Sequence, residues 1–156
     1  MSVRERQAWM AVVTTFLFWP YYFTVLFIAI SERSLDGWAL LGVFLWTLGI
    51  HVVVLLGLAL LIARLTRQDF DAPPDELERM IEARADKAAR RVLELGITAL
   101  AIASLWISNW AREAFGNDPA GATAILMANG LMLTGMAAGL LRELVLVVQF
   151  RRTAAA

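Results

Sequence analysis

The sequence predicts an all-α fold, a polytopic membrane protein built as a bundle of four transmembrane helices. Three observations predict it: four apolar runs of spanning length, short polar segments between them, and cations gathered on one side. The runs are Ala8–Ile30, Gly37–Ala63, Val92–Ala111 and Gly121–Phe150, each at or above the roughly 20 residues a helix needs to cross the hydrocarbon core. The chain is 60 % hydrophobic, against about 45–50 % for a soluble domain. Of its 14 Lys and Arg, 12 fall on one set of segments: Arg4 and Arg6; Arg64, Arg67, Arg79, Arg84, Lys87, Arg90 and Arg91; Arg142, Arg151 and Arg152. Only Arg33 and Arg112 fall on the other. The positive-inside rule then places both termini and the segment 64–91 in the cytoplasm, which requires an even number of spans. The whole chain, 1–156, reads as one membrane domain with spans at 8–30, 37–63, 92–111 and 121–148.

The first run is crowded with aromatics: Phe16, Phe18, Trp19, Tyr21, Tyr22 and Phe23. Pro20 near its midpoint cannot donate to the Phe16 carbonyl, which predicts a kink and a carbonyl in need of another donor. Ala29-Ile30-Ser31 has the small-x-small form of a signal-peptidase site. The apolar run before it exceeds the roughly 7–15 residues of a signal h-region, so an uncleaved helix is expected. Ser31–Asp36 is a turn short enough to make the first two helices antiparallel neighbours. Trp38 anchors the second at the outer interface. Gly42, Gly49 and Gly57 mark a face of that helix where another could approach closely.

Segment 64–91 divides in two. Thr66–Pro74, with Asp69, Asp71 and Pro73-Pro74, reads as a turn. Asp75–Arg91 reads as an amphipathic helix, with Leu77, Met80, Ile81, Ala85, Ala88 and Val92 at helical spacing. Asp75 with Arg79 and Asp86 with Arg90 are acid-before-base pairs at i,i+4. No breaker separates this helix from the third span, so one continuous helix is expected. Gly116-Asn117-Asp118-Pro119 is a turn signal, and Gly135-x-x-x-Gly139 permits close contact along the fourth span. Leu144–Phe150 extends that span along the interface.

His51 is the chain's one histidine and lies near the centre of the second span. Ionisable residues at that depth are candidates for function. Trp19, Pro20, Ser104 and Thr134 fall at about its level. Three roles stay open: a neutral donor holding helices together, bonded to a hydroxyl or the Phe16 carbonyl; a proton or substrate contact; an axial haem ligand paired with Met127, Met132 or Met136. Asn109 and Asn129, with Ser104 and Ser108, either line a polar opening or hydrogen-bond between helices. Glu94 and Arg142 lie at comparable depth and are expected to pair. The Asp75–Arg91 helix is either a solvated, charge-balanced extension of helix three or a docking surface for a cytoplasmic partner, with Leu77, Met80 and Ile81 as candidate anchors in a helix-in-groove mode.

Absences narrow the chemistry. Zero net charge with interleaved acids argues against a nucleic-acid surface, and the lack of cysteine removes thiol and iron–sulfur chemistry. No P-loop, H-E-x-x-H motif, nucleophile elbow or intramembrane carboxylate pair is present. Four-span quinone–disulfide oxidoreductases need cysteines. Small multidrug antiporters need a glutamate in the first span, where this chain has none.

The stretches Ser2-Val3-Arg4-Glu5-Arg6-Gln7-Ala8-Trp9 and Asp75-Glu76-Leu77-Glu78-Arg79-Met80-Ile81-Glu82-Ala83-Arg84-Ala85-Asp86-Lys87 resemble an uncharacterised family of small bacterial four-span inner-membrane proteins. That family carries a D-E-R-[DE]-x-x-I-E-x-[KR] type segment ahead of helix three; Leu77 stands where the pattern has arginine. The resemblance implies a bacterial inner-membrane location and supplies no activity.

The expected function is therefore a non-enzymatic accessory, regulatory or oligomeric membrane component, without cofactor. Its expected partners are the lipid bilayer, a membrane or cytoplasmic protein, or a second copy. A small transporter or channel with a polar pathway around His51, Asn109 and Asn129, joined by Ser104 and Thr134, is the alternative. A haem or quinone subunit is a more distant one.

Overall fold

The computed structural model describes residues 3–66 and 75–154. Of these, 93 % are helical and none is in a strand. The elements are α1 (Val3–Ser31), α2 (Gly37–Thr66), α3 (Glu76–Ala114) and α4 (Pro119–Ala154). All four are long and apolar enough to cross a membrane. The turn expected at Thr66–Pro74 falls, from 67 to 74, outside the described residues. α3 runs unbroken from the amphipathic stretch into the apolar one, and α1 runs unbroken through Pro20.

An aspartate opens each helix after the first. Asp36 Oδ1 accepts from the Trp38 and Ala39 amides at 2.9 and 3.2 Å. Asp118 accepts from the Gly121 amide at 2.9 Å, with Pro119 in the first helical position. Gly121 suits that approach, because a Cβ there would run into the Asp118 carboxylate. Asp75 forms a reciprocal cap with Glu78: each side chain accepts from the other's backbone amide. These carboxylates satisfy amides that have no partner within the helix. The cap engages Asp75, and the expected Asp75–Arg79 pair is not among the ion pairs of the described residues.

α1 ends in a Schellman turn, with Ser34 donating to the Ala29 carbonyl and Arg33 to that of Ile30. Arg33 takes the left-handed conformation, φ 55°, that such a turn demands. Glycine is the residue that adopts it without steric cost.

The helices lie in the order α2, α1, α4, α3. α3 and α4 pack along most of their length, while α1 touches both α2 and α4. Gly96 receives the Thr134 side chain, and Gly130 faces Leu100, whose Cδ1 would lie 2.7 Å from a glycine Cβ. The glycines marked from spacing do not make this seam. Gly42, Gly49, Gly57, Gly135 and Gly139 have nothing within 4 Å of where a Cβ would stand. Spacing identifies a face that permits close approach; packing elsewhere decides whether it is used.

Three buried clusters order the core. Trp19, Tyr22, Leu26 and Leu40 form the middle one, with Phe44, Ile125, Met132 and Met136 against them. Ala111, Phe115 and Ala122 close the end where the two short turns meet, joined by Leu35. Ala8, Ile81, Ala85, Leu146, Val147 and Phe150 form the third, at the end that carries both termini. The outer faces of α2 and α3 leave Trp46, Val53, Leu95, Leu105 and Trp106 exposed. An apolar surface of this extent has to be covered by lipid or by protein.

Replacing Arg33 by glycine should stabilise the chain in detergent by up to about 1 kcal/mol, the left-handed penalty less glycine's greater unfolded entropy. A thermal midpoint that falls in R33G would contradict the turn geometry.

Candidate functional site

His51 binds one helix only. Trp19 Nε1 donates to His51 Nδ1 at 3.0 Å, and His51 Nε2 lies 3.1 Å from Thr14 Oγ1. The Thr14 hydroxyl in turn donates to the Met10 carbonyl at 2.8 Å. An indole N–H can only donate, so Nδ1 must be an acceptor and the ring proton sits on Nε2. Nε2–H then donates to Thr14, whose own proton is already directed to Met10. The network is complete with a neutral imidazole, and protonating Nδ1 would break the Trp19 bond. Phe18 stacks on the ring at 5.9 Å and Trp19 meets it edge-on at 6.1 Å. Both nitrogens are thus engaged by α1, and the partner is Thr14 rather than the Phe16 carbonyl.

Asn129 belongs to a second link. Tyr22 donates to its Oδ1 at 2.5 Å, while its Nδ2 donates to the Ile125 carbonyl at 2.8 Å. This ties α1 to α4, as His51 ties α1 to α2. Trp19 and Tyr22, one turn apart on α1, pack edge to face at 6.2 Å and bring the two links side by side. Tyr22 and Thr14 are the members that spacing did not single out. The signal was present in the aromatic crowding of α1, where Tyr22 is the hydroxyl-bearing residue one turn from Trp19.

The other polar candidates do not join them. Ser104 donates to its own Ala101 carbonyl and Thr134 to that of Gly130. Asn109 is exposed and accepts from Arg112. His51, Asn109, Asn129, Ser104 and Thr134 are not linked to one another by hydrogen bonds among the described residues. The Thr47 hydroxyl, in a residue only 4 % exposed, has no hydrogen-bond partner among the described residues. It lies one turn from His51 along α2.

A denser polar assembly surrounds the terminal-end cluster. Arg4 of α1 pairs with Glu78 at 3.0 Å and with Glu82, both on α3. Arg142 of α4 pairs with Asp86 of α3 at 2.7 Å and with its neighbour Glu143 at 2.8 Å. Arg151 reaches the buried Glu5 at 3.4 Å and lies 5.3 Å over the Trp9 ring. Glu78, Glu82 and Asp86 recur every four residues, which sets them along one side of α3. They receive a cation from α1 and another from α4, around Ile81 and Ala85. The pairings expected from sequence differ here. Arg142 takes Asp86 instead of Glu94, and Asp86 is therefore engaged across helices instead of with Arg90 at i,i+4.

This geometry divides the three candidate anchors. Ile81 is 2 % exposed and packs inside the protein's own core, so it is not an available surface. Leu77 and Met80 remain outward at 45 % and 54 % exposure. The first turns of α1 and α3 meet here through Arg4 with Glu78 and Glu82, and through Ala8 with Ile81 and Ala85.

Two threonine-to-valine changes separate a used hydroxyl from an idle one. T14V leaves the His51 Nε2–H without its acceptor and should lower stability by about 1–3 kcal/mol. T47V removes no hydrogen bond and should be neutral or mildly stabilising in the same thermal melt. Equal effects would contradict the assigned network. Compared with protein-family models, with curated proteins and with solved structures, the chain matches none.

Proposed function

We propose that this chain is a multi-pass protein of the bacterial inner membrane, with both termini and segment 64–91 in the cytoplasm. It acts without chemistry of its own, as an accessory or regulatory component that works through a protein partner. The charge asymmetry of 12 cations against two supports the orientation. The observation that carries the functional reading is the head at the terminal end. There the first turns of α3 are clasped by α1 and α4, yet Leu77 and Met80 are left projecting from an anchored helix. A helix fixed by its own ion pairs presents such side chains at little further entropic cost to a docking partner. His51 and Asn129 are each tied to α1 in a separate link, while Ser104, Asn109 and Thr134 bond within their own helices, which favours this reading over a polar transport path.

Orientation is tested by labelling introduced cysteines, since the chain has none of its own. Ser34→Cys should react with a membrane-impermeant maleimide on intact spheroplasts and Thr153→Cys only after lysis; the reverse pattern would overturn the orientation. The functional reading is tested by affinity purification in mild detergent from native membranes. Wild-type chain should retain a stoichiometric partner, and Leu77→Glu with Met80→Glu should lose it while keeping the same thermal midpoint. Recovery of the wild-type chain with no partner, or capture unchanged in the double variant, would sink the docking role.

A further inference from the structure

The ion pairs at the terminal end sort the charges of α3 by side. Glu78, Glu82 and Asp86 turn toward α1 and α4 and are engaged by Arg4 and Arg142. Arg84, Lys87 and Arg91 recur at i, i+3 and i+7, which places them on another face of the same helix, with Arg90 a step round from them. All four are exposed. None of them takes part in an ion pair among the described residues. Asp86, the acid four residues before Arg90, is the one that Arg142 removes. Folding therefore turns the engaged acids Glu78, Glu82 and Asp86 inward and leaves these four cations outward, with Glu94, four residues after Arg90 and three after Arg91, on their side of the helix. Glu94, the next acid along α3, is exposed a turn deeper in the apolar stretch and holds no ion pair among the described residues.

Position along α3 decides what these cations face. The apolar run begins at Val92, and the helix is continuous across it. At about 1.5 Å per residue, Arg91 and Arg90 lie within about 3 Å of that boundary, Lys87 about 7.5 Å from it and Arg84 about 12 Å. The headgroup layer on each side of the hydrocarbon is about 5–7 Å thick. Arg90, Arg91 and Lys87 fall at its depth, and the Arg84 side chain can reach back to its edge. The outer face of α3 also carries exposed Leu95, Leu105 and Trp106 immediately beyond. The cations thus continue the surface that the apolar side chains offer to acyl chains.

We propose that Lys87, Arg90 and Arg91, with Arg84 behind them, form a binding site for the phosphate of an anionic lipid headgroup in the cytoplasmic leaflet. The site rests on the membrane reading given above. Guanidinium forks hydrogen-bond phosphate oxygens in pairs, and lysine supplies a third cation. The bound lipid fixes the height of α3 in the bilayer, and with it the height of the clasped head.

The test uses purified full-length chain in a neutral detergent, titrated with phosphatidylglycerol or phosphatidylcholine and read by native mass spectrometry. Wild-type chain should retain phosphatidylglycerol at least tenfold more tightly. Lys87→Gln, Arg90→Gln and Arg91→Gln together should bring the ratio toward one. Lys87→Arg should keep the preference, and a helical circular-dichroism spectrum with an unchanged melt shows that the triple variant is folded. Equal retention of the two lipids by wild type, or a preference that survives the triple change, would overturn the site. Retention of poly-glutamate with no preference between the lipids would assign the face to an acidic protein and overturn it equally. Extraction of the wild-type chain from membranes by alkaline carbonate would remove the membrane reading itself and the site with it, an outcome separate from lost lipid preference.

Discussion

The row of carboxylates Glu78, Glu82 and Asp86 on α3 is the interaction on which the terminal end depends. Each of these acids would be balanced within its own helix if the nearest base were its partner. Arg4 and Arg142 instead reach it from two other helices. Three elements distant in sequence are joined at one point, and Ile81 and Ala85 are enclosed beneath the join. Partly buried pairs of this kind contribute modestly one by one, but as a network around a small apolar core they fix an arrangement. The exposure of Leu77 and Met80 follows from which side of α3 the acids occupy, and so does the cationic face opposite. The head and the lipid-facing surface are two consequences of one charge distribution.

The middle of the assembly obeys a related constraint. No water is available between apolar helices, so a polar side chain there has to find its partner within the protein. His51 and Asn129 both find theirs on α1, through Trp19, Thr14 and Tyr22. That makes α1 the helix to which α2 and α4 are each tied by hydrogen bonds, consistent with its place between them. α3 is held differently, by close contact at Gly96 and Gly130 and by the ion pairs of the head.

Much of the fold was legible in the sequence because apolar runs and their breakers are local signals. The expected spans at 8–30, 37–63, 92–111 and 121–148 lie within α1 to α4, and the continuity of α3 was visible in the absence of any breaker before Val92. The caps at Asp36, Asp75 and Asp118 rest on an equally local signal that the expected pairings passed over: Asp75 and Glu78 stand three residues apart as a reciprocal cap requires, yet the expected partner of Asp75 was Arg79. What spacing could not supply was the choice among partners. Arg142 had Glu94 at similar depth and chose Asp86, because α3 and α4 meet with Asp86 on the facing side. The glycines of α2 offered a face with nothing close to it among the described residues, while Gly96 and Gly130, unremarked in sequence, make the tight seam. Depth is a one-dimensional property that a sequence carries; azimuth around a helix is set by packing.

Hydrogen–deuterium exchange of residues 76–91 in the detergent-solubilised chain tests the clasped head most directly. If α1 and α4 hold this stretch as described, the amides around Ile81 and Ala85 should exchange as slowly as those of the apolar helices. Replacing Arg4 by alanine should speed them without altering the amides of α2. Exchange across 76–91 as fast as that of a solvated helix free of tertiary contact, in the unaltered chain, would contradict the clasp and everything derived from it.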